Sequence, residues 1–381
     1  MAEGIKNQLK AMVLKGPVRE WWIRKRSREL EQSYIQHVQS AYKGFAVPET
    51  PKTTTTTPRR PLRRVLFMGD LMWEQDNLFP ELERFCPIDT LDFGPALKTR
   101  GERAPSEVLA ECIRLHTLQH GEPDAVFLYA RPSILSDEVF SALRARWSCP
   151  LLGMNLDDKI EYFPHGILAS GNDGYCRWAK HFDMNLTSSR GALDWYHAAG
   201  FSARYVPQGF CRDPRWAEPP TRADFRYGLS FVGSIKPERA QLVTEIQNAG
   251  LAISLFGSGW PNGTWIEVAG EVFRDSQINL GIGLVGPTGG LVNPKGRDIE
   301  CPATGACYLT TYHWELAGLY DIGKEILCYR NFEELVDIYQ FYIRRPQLCL
   351  ALAQAAHARC HAEHTWEARL RPVFRDLGFA V

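Results

Sequence analysis

The chain is 381 residues long, and its 44 lysine and arginine residues equal its 44 aspartate and glutamate residues in number. This length exceeds one typical hydrophobic core and predicts two domains of ordinary size. The charge balance leaves no overall positive field, so the composition argues against a nucleic-acid partner. With 45% hydrophobic residues, the chain is typical of a globular protein.

The ten cysteines are scattered, without a C-x-x-C pair or a His/Cys cluster at zinc spacing. The sequence therefore predicts neither a disulfide framework nor a structural metal, which favours a reducing compartment. No apolar run approaches the roughly 20 residues of a membrane-spanning helix, and the N-terminus lacks the apolar core of a signal peptide. We expect a cytoplasmic protein.

Residues 1–60 are predicted to form a helical extension and a threonine- and proline-rich linker. Apolar and aromatic residues recur there at helical spacing: Leu30, Tyr34, Val38 and Tyr42. With the basic aromatic run at 21–26, residues 1–47 could settle on an anionic membrane surface as a peripheral contact. The alternative is a helix packed on the rest of the protein. The narrow apolar stripe and the dilution of charge by three glutamates favour this second interpretation.

Strand and helix patterns alternate from Arg64 onward. Short apolar runs predict strands at 65–68, 88–93, 125–129, 151–156, 184–187 and 203–206. Helical segments separate several of these runs, which is typical of a parallel sheet with helices on both faces. We predict a Rossmann-like N-terminal domain over residues 61–218.

A second alternating series follows the proline-rich residues 214–220. It predicts strands at 228–232, 252–256, 277–280, 307–310 and 325–329, and its clearest helices are 237–249 and 331–344. A second Rossmann-like domain is predicted over residues 219–381. The fold class is therefore α/β, with two doubly wound domains facing each other. Ligands bind outside the carboxyl ends of such strands, so the cleft between the domains is the expected site.

Basic residues follow the first strand of the second domain. Gly233 and Ser234 end that strand, and a helix begins at Pro237 between Lys236 and Arg239. Free backbone N–H groups at the helix start, with the two cations, would hold phosphate oxygens. The alternative is an ordinary strand-to-helix turn with solvated cations.

A glycine turn follows the next strand. Gly257 and Gly259 would allow the backbone to approach a ligand closely, whereas the adjacent Trp260 is expected to be a packing residue.

The most informative stretch runs from Lys295 through Arg297 and Glu300 to Gly305. Arginine can neutralise a diphosphate with a fixed fork of donors, while a glutamate on the following helix accepts hydrogen bonds from ribose hydroxyls. Small residues then let the helix lie close to ligand and sheet. Lys295 could add to the phosphate-binding charge or be exposed, and Glu300 could instead be a helix-capping carboxylate.

This stretch resembles the donor-site signature of glycosyltransferases of the GT-B fold, in particular the group-1-like branch that includes spore-maturation-type enzymes. Arg297, Glu300, Ala303 and Gly305 carry its Arg-x-x-Glu-x-x-Ala-x-Gly pattern. Four further segments agree with the family in order and spacing: 231–234, 255–260, 323–326 and 363–366. The resemblance covers residues from about 225 to 375 and implies a C-terminal domain that binds a nucleotide sugar.

The resemblance implies a hexosyltransferase-like reaction, from a nucleoside-diphosphate donor to a glycan, lipid-linked glycan, protein or small-molecule acceptor. The N-terminal domain would bind the acceptor. Related enzymes grip the base through backbone groups, here at Ala269 and Gly270. Many retaining members carry two glutamates eight positions apart, but Val292 stands eight positions before Glu300. The motif therefore does not support a retaining reaction.

An inverting reaction needs a base to deprotonate the acceptor hydroxyl, and the N-terminal domain should supply it across the cleft. Asp70, just after the first strand, is the first candidate. Asp158, in the pair Asp157-Asp158, is the second, and His165 is the third. Each carboxylate could instead cap a following helix. Adjacent side chains on an extended segment point apart, so the Asp157-Asp158 pair is not predicted to bind a metal.

We expect no metal and no other cofactor, because basic residues and helix dipoles would stabilise the leaving diphosphate. Two other functions are compatible with the sequence. A nucleotide-sugar epimerase or hydrolase would use the same pocket but need further carboxylates around the sugar. A non-catalytic binding protein would retain the fold without the chemistry, and the intact Arg297 and Glu300 pair argues against it.

Overall fold

The computed structural model describes residues 60–163, 174–284 and 292–381, together with Lys25 and Glu29. Apart from those two positions, the predicted N-terminal helix lies outside the described residues. So do the linker before Arg60 and the candidate base His165.

The first half of the described chain alternates strands and helices as predicted. Its strands are β1 (Arg60–Pro61), β2 (Val65–Gly69), β3 (Ile88–Asp92), β4 (Ala125–Tyr129), β5 (Leu151–Asn155), β6 (Met184–Thr187) and β7 (Ala203–Tyr205). Its helices are α1 (Glu74–Asn77), α2 (Phe79–Leu82), α3 (Gly94–Lys98), α4 (Pro105–Gln119), α5 (Asp137–Arg144), α6 (Asp158–Glu161) and α7 (Leu193–Ala198). Strands β2 to β7 form one parallel sheet in the order β3-β2-β4-β5-β6-β7.

The second half builds another parallel sheet. Its strands are β8 (Tyr227–Val232), β9 (Ser254–Phe256), β10 (Ser276–Leu280), β11 (Tyr308–Thr311), β12 (Leu327–Tyr329) and, outside this sheet, β13 (Phe379–Ala380). Its helices are α8 (Pro237–Asn248), α9 (Ala269–Asp275), α10 (Arg297–Ala303), α11 (Phe332–Ile343), α12 (Pro346–Glu363) and α13 (Trp366–Asp376). The strand order is β12-β11-β10-β8-β9.

Helices cover both faces of each sheet. In β2, Leu66 and Met68 pack on one face with side chains of α4 and α5, while Val65 and Phe67 pack on the other with α2 and α13. This alternation follows from the two-residue period of a strand. The second sheet has one core against α8 and α11 and another against α10 and α12. Double coverage explains why β2, β5 and β10 are buried along their whole length.

The last helix crosses back to the first sheet. Trp366, Leu370 and Phe374 of α13 belong to the core that contains Phe67 and Phe127, and β13 pairs with β1. The range predicted for the second domain, residues 219–381, therefore includes a final segment that packs on the first sheet.

The carboxyl ends of the two sheets face each other, as predicted. Asn77 of α1 contacts Glu300 of α10, and Lys159 of α6 lies 3.1 Å from Glu315, which follows β11. Among the described residues, none of the helices combines the length and the apolar character that a membrane crossing requires.

Candidate active site

Two arginines converge on the glycine that follows β8. Gly233 has φ +150, and a Cβ added to it would lie 2.5 Å from the Arg297 guanidinium. The guanidinium carbons of Arg239 and Arg297 lie 5.6 and 4.9 Å from the centroid of the Phe231 ring. Arg239 also donates a hydrogen bond of 2.9 Å to the carbonyl oxygen of Ser234. Only glycine leaves room here for two guanidinium groups beside the backbone.

A second glycine loop packs on the first. Gly257 has φ +111, and a Cβ added to it would lie 2.8 Å from the Gly233 carbonyl carbon. The indole Nε1 of Trp260 donates a 2.7 Å hydrogen bond to the Gly233 carbonyl oxygen. Trp260 is buried in the adjoining core, in agreement with the packing role expected for it.

Four cations lie close to one another near the Gly233 loop, and we call them the basic cluster: Lys236, Arg239, Lys295 and Arg297. Burial lowers the pKa of Arg239, and the nearby Arg297 lowers it further. Burial also lowers the pKa of Lys295; Lys236 and Arg239 act in the same direction, whereas Asp157 opposes them. Mutually repelling cations held together in this way are stabilised by a bound anion. Lys236 precedes α8 without a side-chain cap, so the helix start also offers backbone donors.

The buried Asp298 holds the loop that contains Lys295 in place. Its buried carboxylate accepts hydrogen bonds from the Lys295 backbone N–H at 2.6 Å, Tyr308 at 2.8 Å and Thr310 at 3.0 Å. Burial raises the pKa of this carboxyl group, and these hydrogen bonds oppose the rise. Asp298 could not be identified from the sequence, because its partners on β11 are ten or more positions away.

Glu300 lies one helical turn after Arg297. Its Oε1 accepts a 2.6 Å hydrogen bond from Asn77 of the N-terminal domain. Burial raises the pKa of the Glu300 carboxyl group, while Arg297 and Asn77 lower it. The side chain borders a pocket of about 200 Å³ between the domains, lined by Trp73, Asn77, Gln208, Gly209, Glu300 and Trp366.

Two further glycines were predicted to line the donor site. A Cβ on Gly270 would meet the Trp216 indole at 2.7 Å, and a Cβ on Gly305 would meet Pro220 Cδ at 2.6 Å. Gly305 follows the C-terminal end of α10, whereas Arg297 begins that helix. Both glycines therefore pack against the segment that joins the two halves of the chain. Gly305 therefore lies away from the basic cluster, while the base-binding role of Gly270 stays a prediction.

The two predicted catalytic aspartates differ in exposure. Asp70 is exposed at the carboxyl end of β2, beside Asp92 and Gly94. The Asp158 carboxylate is buried and accepts hydrogen bonds from Asn155 at 2.7 Å and Tyr196 at 2.9 Å. Burial raises its pKa to about 7. Asp158 therefore points into the N-terminal domain rather than toward the basic cluster.

Asp157, the neighbour of Asp158, points the other way. Its carboxylate is 4.0 Å from Lys295 Nζ and remains half-exposed. The two side chains diverge, as predicted for adjacent residues. The nearby Glu161 has a pKa raised to about 7, first by burial and then by Asp157. The Asp157 carboxylate therefore faces the cleft from the N-terminal side. Glu161 could not be singled out from the sequence.

Comparisons with known proteins agree with this architecture. A protein-family model described as glycosyl transferase-like matches residues 239–375. A search of curated protein sequences finds no match.

Solved structures of low sequence identity share the fold. The sucrose-phosphate synthase of Thermosynechococcus elongatus has 13% identity and a TM-score of 0.55, and the match covers 83% of this chain and 99% of that one. Anabaena HepE, solved with UDP and glucose, has 11% identity, a TM-score of 0.54 and the same coverage. TarM has 10% identity and a TM-score of 0.53, over 71% of this chain and 58% of TarM. The fold is GT-B, and the C-terminal half of the chain is similar to the glycosyl transferase-like family.

Proposed function

We propose that this protein is a glycosyltransferase that moves a sugar from a nucleoside-diphosphate donor to an acceptor hydroxyl without a metal ion. The observation that carries the proposal is the convergence of Arg239 and Arg297 on Gly233, one helical turn from Glu300. This arrangement supports the proposal, because cations that would bind a diphosphate lie beside a carboxylate that would bind hydroxyl groups, in the cleft of a GT-B fold. UDP and glucose in the HepE structure are consistent with such a donor.

The diphosphate and the ribose of the donor would each bind to a different set of residues. The guanidinium groups of Arg239 and Arg297 would take the diphosphate oxygens, with Lys236, Lys295 and the N–H groups of the α8 start adding positive potential. Glu300 would accept hydrogen bonds from the ribose. The close contact between the loops of Gly233 and Gly257 would hold the backbone against the phosphates.

The basic cluster would also stabilise the leaving group. As the bond between the anomeric carbon and the diphosphate oxygen breaks, its electron pair stays on the diphosphate, and charge builds up beside Arg239 and Arg297. Fixed cations in a partly buried site stabilise that charge without reorganisation. This supports the proposal that no metal is required.

The acceptor proton needs a carboxylate on the other side of the cleft. In an inverting reaction the acceptor oxygen attacks the anomeric carbon while its proton passes to that base. We assign this role first to Asp157, which an ion pair connects to Lys295 of the basic cluster. The exposed Asp70 remains a candidate. The buried Asp158 is better suited to a structural role, since it accepts a hydrogen bond from Asn155 at the end of β5.

A reducing, cytoplasmic setting is part of the proposal. All ten cysteines are free thiols, and eight of them are buried. Disulfides are rare in such compartments, so the pattern is consistent with this location.

A turnover assay tests the proposal. Purified protein is incubated with UDP-, GDP-, ADP- and dTDP-sugars, with and without soluble and lipid-linked glycans, in magnesium or in a chelator. Release of nucleoside diphosphate is followed by anion-exchange chromatography. We expect release from one donor family that depends on an acceptor and is unchanged by chelation. The Arg239→Ala/Arg297→Ala variant should be inactive.

Three results would contradict this assignment. Donor consumption at an undiminished rate without acceptor would indicate a hydrolase or epimerase. Binding of the donor without turnover across all acceptors would favour a non-catalytic binding protein. Loss of activity on chelation, restored by magnesium, would refute metal independence.

A further inference from the structure

Asn77 of the N-terminal domain contacts Glu300, the carboxylate that is proposed to bind the ribose. Asn77 ends α1, and its Nδ2 donates a 2.6 Å hydrogen bond to Glu300 Oε1 across the cleft. Its Oδ1 accepts a 2.8 Å hydrogen bond from the indole Nε1 of Trp366. An indole N–H can only donate and a carboxylate can only accept, so these two partners fix which way the amide faces.

The Trp366 indole, which binds the Asn77 amide, is held firmly in place. Trp366 is only 1% exposed, and its ring stacks on Trp73 with centroids 5.9 Å apart. Its backbone N–H bonds the Phe210 carbonyl oxygen, and the Gly209 backbone packs closely against it. The indole therefore holds Asn77 in one orientation, and Asn77 holds one oxygen of Glu300.

We propose that Asn77 is a positioning residue of the donor site, which aims the Glu300 carboxylate at the ribose hydroxyls; this inference rests on the function proposed above. A carboxylate has about four acceptor positions, so its bond to Asn77 leaves capacity for ribose hydroxyls. The pocket of about 200 Å³ beside Glu300 provides the space, and Gln208 also lines it. The N-terminal domain thereby completes the ribose site of the C-terminal domain.

The test compares ribonucleotides with their dideoxy counterparts. Dissociation constants are measured by calorimetry for UDP, GDP and ADP and for the matching 2′,3′-dideoxynucleoside diphosphates. We expect the wild-type protein to bind its preferred ribonucleotide roughly tenfold or more tightly than the dideoxy form, because that form lacks a hydrogen bond to a charged group. In Asn77→Ala this ratio should fall toward one, mainly through weaker binding of the ribonucleotide.

A second variant and a control separate positioning from folding. Trp366→Phe keeps a ring against Trp73 but removes the donor to Asn77, so it should lower the ratio partway. Gln75→Ala changes an exposed residue of the same short helix and should leave the ratio unchanged. A purely structural loss would weaken both nucleotides equally and preserve the ratio.

The outcomes distinguish the two proposals. If the wild-type protein binds no nucleoside diphosphate, the proposed function fails and this inference fails with it. If the wild-type protein prefers the ribonucleotide and both variants keep that preference, only the role of Asn77 is refuted. Equal wild-type binding of both forms would refute the ribose assignment of Glu300, and with it the role of Asn77. The proposed phosphate site would be unaffected.

Discussion

The buried imidazole of His364 makes stability depend on pH. His364 lies between α12 and α13, and its Nε2 donates a 3.0 Å hydrogen bond to the Leu319 carbonyl oxygen. Its Nδ1 is 2.8 Å from the Arg369 guanidinium, which must donate to it. The ring is therefore neutral in this arrangement. Burial, followed by the charge of Arg369, lowers its pKa to about 4.

This environment predicts that His364 contributes less to stability in mild acid. Between pH 6.5 and pH 4 the unfolded chain binds a proton at His364 that the folded chain does not, so this contribution falls as the pH falls. At pH 5 the contribution should be up to about 2 kcal/mol lower than at pH 8. Urea unfolding at the two pH values measures the change in the wild type and in His364→Gln. The variant can keep both hydrogen bonds without titrating, so on going from pH 8 to pH 5 the wild type should become less stable relative to the variant by this amount. Equal changes in the two proteins would refute the assignment.

At the residue scale, the sequence identified groups whose role follows from local order. Gly233, Arg239, Arg297 and Glu300 are set by a strand end, a helix start and one helical turn, and the structure brings them together. Asn77 and Asp298 were not identified, because their function depends on partners far along the chain; Asn77 and Glu300 are 223 positions apart. The orientation of Asp158 also depended on packing against Tyr196 that a single sequence does not reveal.

The two ends of helix α10 lie in different surroundings. Its N-terminal end carries Arg297 and Glu300 into the cleft, while Gly305 follows its C-terminal end with φ +76. An L-residue at this position would adopt a strained backbone conformation, and its Cβ would press on Pro220.

We therefore expect Gly305→Ala to lower stability without changing the donor site. The predicted cost is about 1 to 3 kcal/mol, measured by chemical unfolding. Nucleoside-diphosphate affinity should be the same as in the wild type. Gly318→Ala is the matched control, since a Cβ there meets no atom within 4 Å and the glycine lacks a positive φ. Weakened nucleotide binding in a well-folded Gly305→Ala protein would restore this glycine to the donor site.

At the element scale, the buried apolar runs located the strands well. The predicted strands at 125–129 and 184–187 coincide with β4 and β6, because both are apolar segments of a covered parallel sheet. The strand predicted at 252–256 is shorter in the structure and begins at Ser254. That strand is at the sheet edge, where one neighbour is missing and pairing specifies less of its length.

The return of α13 to the first sheet could not be derived from periodicity. Its amphipathic pattern predicts a buried face but does not specify which core receives it, since the cores of both sheets are apolar.

The two halves of the molecule are joined by a buried ion pair. Lys159 and Glu315 lie 3.1 Å apart with side chains 2% and 0% exposed. Lys159 also donates a 3.2 Å hydrogen bond to the Val292 carbonyl oxygen, and the Arg190 backbone N–H donates one of 3.1 Å to Glu315. The pair therefore connects α6, near the candidate base, to the carboxyl end of β11.

Removing one partner should be costly, and removing both should be less so. Lys159→Met leaves Glu315 as a buried unpaired charge, with an expected loss of about 3 to 5 kcal/mol; the double variant Lys159→Met/Glu315→Leu should lose less. Denaturant unfolding measures both, with Lys324→Met as the control, because Lys324 pairs with Asp321 on the exposed surface. Single and double variants with equal, small losses would show that the pair does not hold the domains together.

The basic cluster and Glu300 are proposed to form one nucleotide-binding site. The most direct measurement is calorimetric titration of UDP, GDP and ADP, each beside its free nucleoside, into the wild type and into Arg297→Ala and Glu300→Ala. Arg222→Ala, at an exposed position, is the control. We predict that one nucleoside diphosphate binds. Each site variant should weaken it by about 1.5 to 3 kcal/mol, and Arg297→Ala should leave the free nucleoside unaffected. Wild-type affinity in both site variants would show that Arg297 and Glu300 do not form a nucleotide-binding site.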